Sequence, residues 1–137
     1  MKIRSLFVVF SILASLLIAG CGGDKAADSA KAEVHPAREV MEKFVTAMKT
    51  DTTGVQETMN EEVWKYFYAD SVGNRRRALN NGFKWEERIV SEEIRDENTV
   101  AFRLESWLNG SFSTRFGLVV TKTSDGRWLI SKYEAMK

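Results

Sequence analysis

The feature that most constrains this chain is a change of period at Phe83. Before it, apolar residues recur every three or four positions, the spacing of helices with one buried stripe. After it they alternate with polar residues, the spacing of strands that bury one face. Helices first and strands after, joined by short turns, predict an α+β fold in which helices cover one face of an antiparallel sheet.

The helical half divides at its breakers. Pro36, the only proline, stands where a first helical turn begins. From Ala37 to Lys49 a stripe of Ala37, Val40, Met41, Phe44, Val45, Ala47 and Met48 predicts helix one. Glu39 and Glu42 lie early in it and Lys49 late, as the helix dipole favours. Asp51-Thr52-Thr53-Gly54 ends the pattern. A second helical segment places Val55, Met59, Val63, Tyr66 and Phe67 on one side, with Asn60 ahead of Glu61-Glu62 as a cap. Asp70-Ser71 reads as a boundary. A short third helix then runs from Ser71 to Leu79, and Gly82 is placed to take a left-handed conformation after it.

The strand half predicts four strands in a meander. In the first, Phe83, Trp85 and Ile89 share one parity while Val90 and Ile94 share the other, and a bulge near Ile89-Val90 reconciles them. Val100, Phe102, Leu104, Ser106 and Leu108 form one face of the next strand. Asn109-Gly110 is a strong hairpin turn. Phe112, Thr114, Phe116, Leu118 and Val120 then fall together. After Ser124-Asp125-Gly126, Trp128 and Ile130 alternate with Leu129, Ser131 and Tyr133. No internal repeat is present.

The N-terminus has a different logic. Lys2 and Arg4 precede a run from Leu6 to Ala19 that is apolar except for Ser11 and Ser15. A spanning helix needs about 20 residues, and this shorter run matches the apolar core of a signal peptide. It ends in Ile18-Ala19-Gly20-Cys21, which resembles the lipobox of bacterial lipoproteins, with Ile where Leu is commoner. That resemblance implies cleavage after residue 20 and a diacylglyceryl group on the Cys21 thiol, with further acylation (palmitate) at the new amino terminus. The alternatives are an ordinary secretory signal with Cys21 a bystander and an uncleaved signal anchor. One acyl chain holds a protein only marginally, at about 0.8 kcal/mol per buried methylene, whereas two or three hold it firmly. Residues 21–36 are small and polar and read as a tether of about 20 Å r.m.s. reach; the α+β domain is expected over 37–137. By analogy with lipoprotein sorting, Gly22 in place of aspartate favours the outer membrane in a Gram-negative cell. The expected location is the cell envelope, with the domain facing the periplasm or exterior.

Composition narrows the partners. The chain is 44% hydrophobic and 28% charged, as globular proteins are. Of 20 basic side chains, Lys2 and Arg4 leave with the leader, and the 18 that remain face 19 acidic ones. Such a balance argues against nucleic acid, which selects concentrated positive charge. Arg75-Arg76-Arg77 is the one basic cluster and reads as a solvated helix face. One cysteine rules out an intramolecular disulfide, and one histidine, His35, rules out a multi-histidine metal site. No cofactor or metal is expected.

The element order resembles the nuclear transport factor 2-like superfamily, a cone-shaped α+β fold, and in particular its lumazine-binding-like bacterial lipoproteins of unknown function. The resemblance rests on Pro36, Val40 and Phe44, on Asn60-Glu61-Glu62 before Trp64, on the long strand run, and on Asp125-Gly126-Arg127-Trp128-Leu129-Ile130. It would cover residues 36–137. The superfamily includes isomerases with a pocket between helix and sheet, which need a buried carboxylate base and a donor facing the developing oxyanion. Tyr66, Tyr68, Asp70 and Tyr133 are the only side chains here that answer that description, and no inward Asp or Glu is evident on the later strands.

Two binding surfaces remain as candidates. Phe44, Met48, Tyr66, Trp85, Phe102, Leu104, Phe116 and Trp128 either line a pocket for a small apolar ligand or fill the core. Trp107 stands on the polar face with Arg103, Glu105 and Asn109. There it either anchors a partner, a second copy or another envelope protein, or lies shielded by the stems of charged neighbours. The leading reading is a lipid-anchored, non-catalytic binding domain; the alternative is an isomerase-like or dehydratase-like enzyme.

Overall fold

Helix α1 begins where its caps place it. In the computed structural model, which describes residues 33–136, His35 is the cap and its Nδ1 accepts a hydrogen bond from the Ala37 N–H at 3.2 Å. Pro36 occupies the first turn of α1 (Pro36–Lys49). The chain divides into two units, Met1–Val34 and His35–Lys137. Of the first, only Glu33 and Val34 are described, both exposed and irregular. The folded unit thus starts slightly ahead of the expected residue 37. Cys21 and the expected leader lie outside the described residues.

A 3-10 turn (Gln56–Thr58) follows. Asn60 then caps a second helical run, its Oδ1 accepting from the Val63 N–H at 2.8 Å. This run, α2, spans 61–80 in three consecutive segments: α-helical Glu61–Val63, π-helical Trp64–Tyr68 and α-helical Ala69–Asn80. The boundary expected at Asp70-Ser71 does not exist, and two long helices replace the expected three. Asp70 and Ser71 stay inside α2, Ser71 turning its hydroxyl back to the Phe67 carbonyl at 3.0 Å. The π turn also corrects the expected stripe. The Ala69 N–H bonds the Trp64 carbonyl, five residues back, so the next inward residue after Val63 is Tyr68, not Tyr66. Tyr66 is 69% exposed and Tyr68 6%. The end of α2 follows expectation: Gly82 has φ +84°, and the Gly82 and Phe83 N–H groups return to Leu79 and Ala78.

Strands β1 (Trp85–Asp96), β2 (Thr99–Leu108), β3 (Ser111–Lys122) and β4 (Trp128–Ala135) form one antiparallel sheet in sequence order. Asn109 and Gly110 both take positive φ, 50° and 82°, in the tight β2–β3 turn. The architecture is α+β, with two helices packed on a four-stranded sheet. The core joins Met41, Phe44 and Met48 of α1 to Phe102, Leu104, Leu118, Val120 and Ile130 of the strands.

Every strand pairing contains a slip in register, and each slip flips which side chains face inward. The one in β1 falls at Val90, where the alternation placed it, and a second falls at Arg95. A slip at Ser113 of β3 was not legible: Phe112 pairs with Trp107, so Phe112 turns to the outer face instead of joining Phe116. A slip at Ser131 of β4 pairs Tyr133 with Leu118 and brings Tyr133 to the inner face.

Candidate functional site

The inner face carries charge that the sequence reading did not place there. On α2, the spacing Tyr68, Val72, Arg75 continues the buried stripe, and Arg75 is 4% exposed. The basic triplet is therefore not one solvated face. Arg76 and Arg77 are exposed, while Arg75 enters the protein. On β1, Trp85, Glu87 and Ile89 share the inward parity, and Glu87 is 4% exposed. Arg75 Nη1 donates to Glu87 Oε2 at 2.6 Å, and Nη2 donates to the other carboxylate oxygen. Such a fork-to-fork pair satisfies both groups where water is scarce. Nη1 also reaches the Met48 carbonyl at 3.3 Å, tying the end of α1 to α2. The guanidinium lies 4.1 Å from the Trp85 ring centre, and Trp85 Nε1 donates to Ser106 Oγ at 2.8 Å.

This cluster forms one wall of a recess of about 300 Å³ between α2 and the sheet. Opposite it stand three aromatic rings in a row. Tyr133 stacks on Phe116 at 5.7 Å and on Phe67 at 4.9 Å, with interplanar angles of 16° and 21°. Phe67 is the outer lip, about half exposed. Ser71 and Thr114 are the exposed polar residues of its lining. Tyr68 meets Phe44 edge to face at 5.5 Å, which fixes its ring against the core. Burial, and next the negative charge of Glu87, push the Tyr68 phenol well above its ordinary value of 10.0, so it stays a neutral hydroxyl.

Of the expected pocket residues, Met48, Trp85 and Phe116 come together at this recess. Phe44, Phe102 and Leu104 are at most 1% exposed and fill the core. Tyr66 points to solvent because the π turn rotates it off the buried stripe. Trp128, whose ring His35 meets edge-on, lines a different, wider groove of about 860 Å³ between α1 and β4. That groove has no buried charged side chain in its lining, and its buried Thr58 donates its hydroxyl to the Val55 carbonyl at 2.7 Å. No inward acid occurs on β2–β4 among the described residues; the inward carboxylate came from β1, whose parity already contained position 87. Asp70 is exposed.

Trp107 stands on the outer face, yet it is partly buried. The Arg88 guanidinium covers its ring at 4.2 Å, Phe112 meets it edge-on at 6.0 Å, and its Nε1 donates to Glu105 at 3.2 Å. Among the described residues no three His, Cys, Asp or Glu side chains gather as metal ligands would. No described helix is long and apolar enough to cross a membrane.

The recess is thus an apolar slot with a neutralised ion pair in its wall, and it has no unpaired buried carboxylate to act as a base. Against known proteins, no family model matches the chain, and no curated protein matches it.

Proposed function

We propose that this chain is a lipid-anchored binding protein of the bacterial cell envelope, whose domain holds a small, largely apolar ligand in the recess between α2 and the sheet. The observation that carries the reading is the recess itself. Its volume sits at the lower end of small-molecule sites, about 300–1,000 Å³, and five aromatic side chains line it beside a few convergent polar groups. The order of two helices and a four-stranded meander supports kinship with the nuclear transport factor 2-like superfamily. The lipobox-like Ile18-Ala19-Gly20-Cys21 supports the anchor. Catalysis of the isomerase or dehydratase kind is disfavoured because both oxygens of Glu87 are held by Arg75.

Two experiments test this. With methyl-labelled methionine, 2-ethylnaphthalene added to the whole chain in lipid nanodiscs should shift the Met48 methyl, which lines the recess, and not that of core Met41. Thr114→Trp, which fills the mouth, should abolish that shift; a shift that survives the substitution places the ligand elsewhere. Cys21→Ser should end palmitate incorporation, and continued labelling would defeat the anchor.

A second reading, docking of a second copy or another envelope protein on the outer sheet face, is favoured by one observation. Phe112 is 52% exposed beside Trp107.

A further inference from the structure

Among the described residues, the recess contains one buried hydroxyl without a protein partner. Tyr68 is 6% exposed, and its Oη takes part in no hydrogen bond among the described residues. No fully enclosed side-chain nitrogen or oxygen in the described protein lacks a partner. The Tyr68 oxygen is therefore not enclosed, and the space it opens to is the recess it lines. Tyr68 is not free to look elsewhere, because the π turn sets its backbone and Phe44 meets its ring.

The charges next to it are already used. Each oxygen of Glu87 accepts from Arg75, whose Nη1 also reaches the Met48 carbonyl and whose guanidinium lies over the Trp85 ring, so the two charges face each other. An anionic ligand would give up water to sit beside the Glu87 carboxylate, and a cationic one beside the Arg75 guanidinium. Neither would find an unpaired opposite charge, so each would carry an uncompensated desolvation cost. A neutral ligand avoids that cost. A phenol donates a hydrogen bond better than it accepts one, because its lone pairs are drawn into the ring. What it can select is thus an acceptor oxygen on an otherwise apolar molecule. The parallel rings of Phe67, Tyr133 and Phe116 favour a flat one.

We infer that Tyr68 is the recognition residue of the recess and that the ligand class is an uncharged, flat, conjugated molecule bearing one hydrogen-bond acceptor, such as an aryl ketone. This rests on the reading of the recess as a binding site.

The test uses the whole chain in nanodiscs, the Met48 methyl as reporter, and three probes of one size: 2-acetylnaphthalene, 2-ethylnaphthalene and 2-naphthoate. Each probe is compared between wild type and Tyr68→Phe, so that its partition into lipid cancels. Removing one neutral hydrogen bond should weaken the ketone about three- to tenfold and leave the hydrocarbon unchanged, and the carboxylate should not bind either protein. Equal effects of Tyr68→Phe on ketone and hydrocarbon would overturn the inference, as would binding of the carboxylate, while the recess would remain a site. If no probe moves Met48, the recess reading falls together with the inference.

Discussion

Four consecutive residues of β1 build the same chemistry twice, once inside the protein and once outside. Trp85 and Glu87 point inward and meet Arg75; Glu86 and Arg88 point outward and meet Trp107. Inside, a guanidinium lies 4.1 Å from a tryptophan ring centre; outside, the distance is 4.2 Å. Each indole N–H finds an oxygen, on Ser106 inside and on Glu105 outside. The pairing differs, since Arg75 bridges both oxygens of Glu87 while Arg88 reaches one oxygen of Glu86, and the surroundings differ more. The Arg75 and Glu87 side chains are 5% and 2% exposed, those of Arg88 and Glu86 51% and 27%. Similar contacts therefore have different consequences: in water an ion pair is replaceable, whereas inside the protein Glu87 has Arg75 as its hydrogen-bonding partner and Arg75 has only Glu87 and the Met48 carbonyl.

Removing one inner partner should give the largest effect. Arg75→Ala leaves the Glu87 carboxylate buried and unpaired, opens space over Trp85 and frees the Met48 carbonyl. The expected loss is about 3–5 kcal/mol by chemical denaturation. Arg75→Met with Glu87→Leu removes both charges and keeps apolar volume, and should recover most of that loss. If the double variant is as unstable as Arg75→Ala, the pair contributes more than mutual solvation, and the contrast with the outer face has another cause.

Much of this was legible in the sequence, and what was missed shares a physical origin. The α+β order, the Asn60 cap, the Gly82 terminus, the Val90 bulge and the Asn109-Gly110 turn each have local chemistry that side chains announce. Single-residue shifts of phase do not. The π turn at Trp64–Tyr68 exchanged Tyr66 for Tyr68, and the slips at Ser113 and Ser131 exchanged Phe112 for Tyr133 on the inner face. Their residues carry no turn signal, because packing of neighbouring elements sets them. The Arg75–Glu87 pair was hidden differently. Helical spacing from Val72 and strand parity from Trp85 both pointed inward, but charge on an apolar stripe looks like an interruption until its partner, on another element, is seen.

Trp107→Ala should have an intermediate effect. The side chain is half-buried and packs under Arg88 and against Phe112. Its loss should cost about 1–2 kcal/mol, less than the roughly 3–5 typical of a core tryptophan. If the outer face docks a second copy, the same change should also lower self-association measured by sedimentation. A loss as large as that of Arg75→Ala would place Trp107 energetically in the core and erase the difference between the two faces.

The smallest effect belongs to Arg88→Ala, expected to cost below about 1 kcal/mol at neutral pH and low salt. Its pH dependence has a definite sign. The hydrogen bond from Arg88, with help from Lys49, holds the Glu86 carboxyl below its ordinary 4.5, and Arg115 holds Glu105 below it in the same way. A carboxylate depressed in the folded state adds stability above the unfolded value and loses it as pH falls through the folded one. Wild type should therefore approach Arg88→Ala in stability as the solution is acidified from about pH 5. The two should also converge at neutral pH in 1 M salt, where the screening length falls to about 3 Å. The Arg75→Ala deficit, enclosed by Trp85 and the core, should persist in that salt. An Arg88→Ala deficit equally resistant to salt would show that the outer set is shielded from water as the inner one is, and that exposure does not separate them.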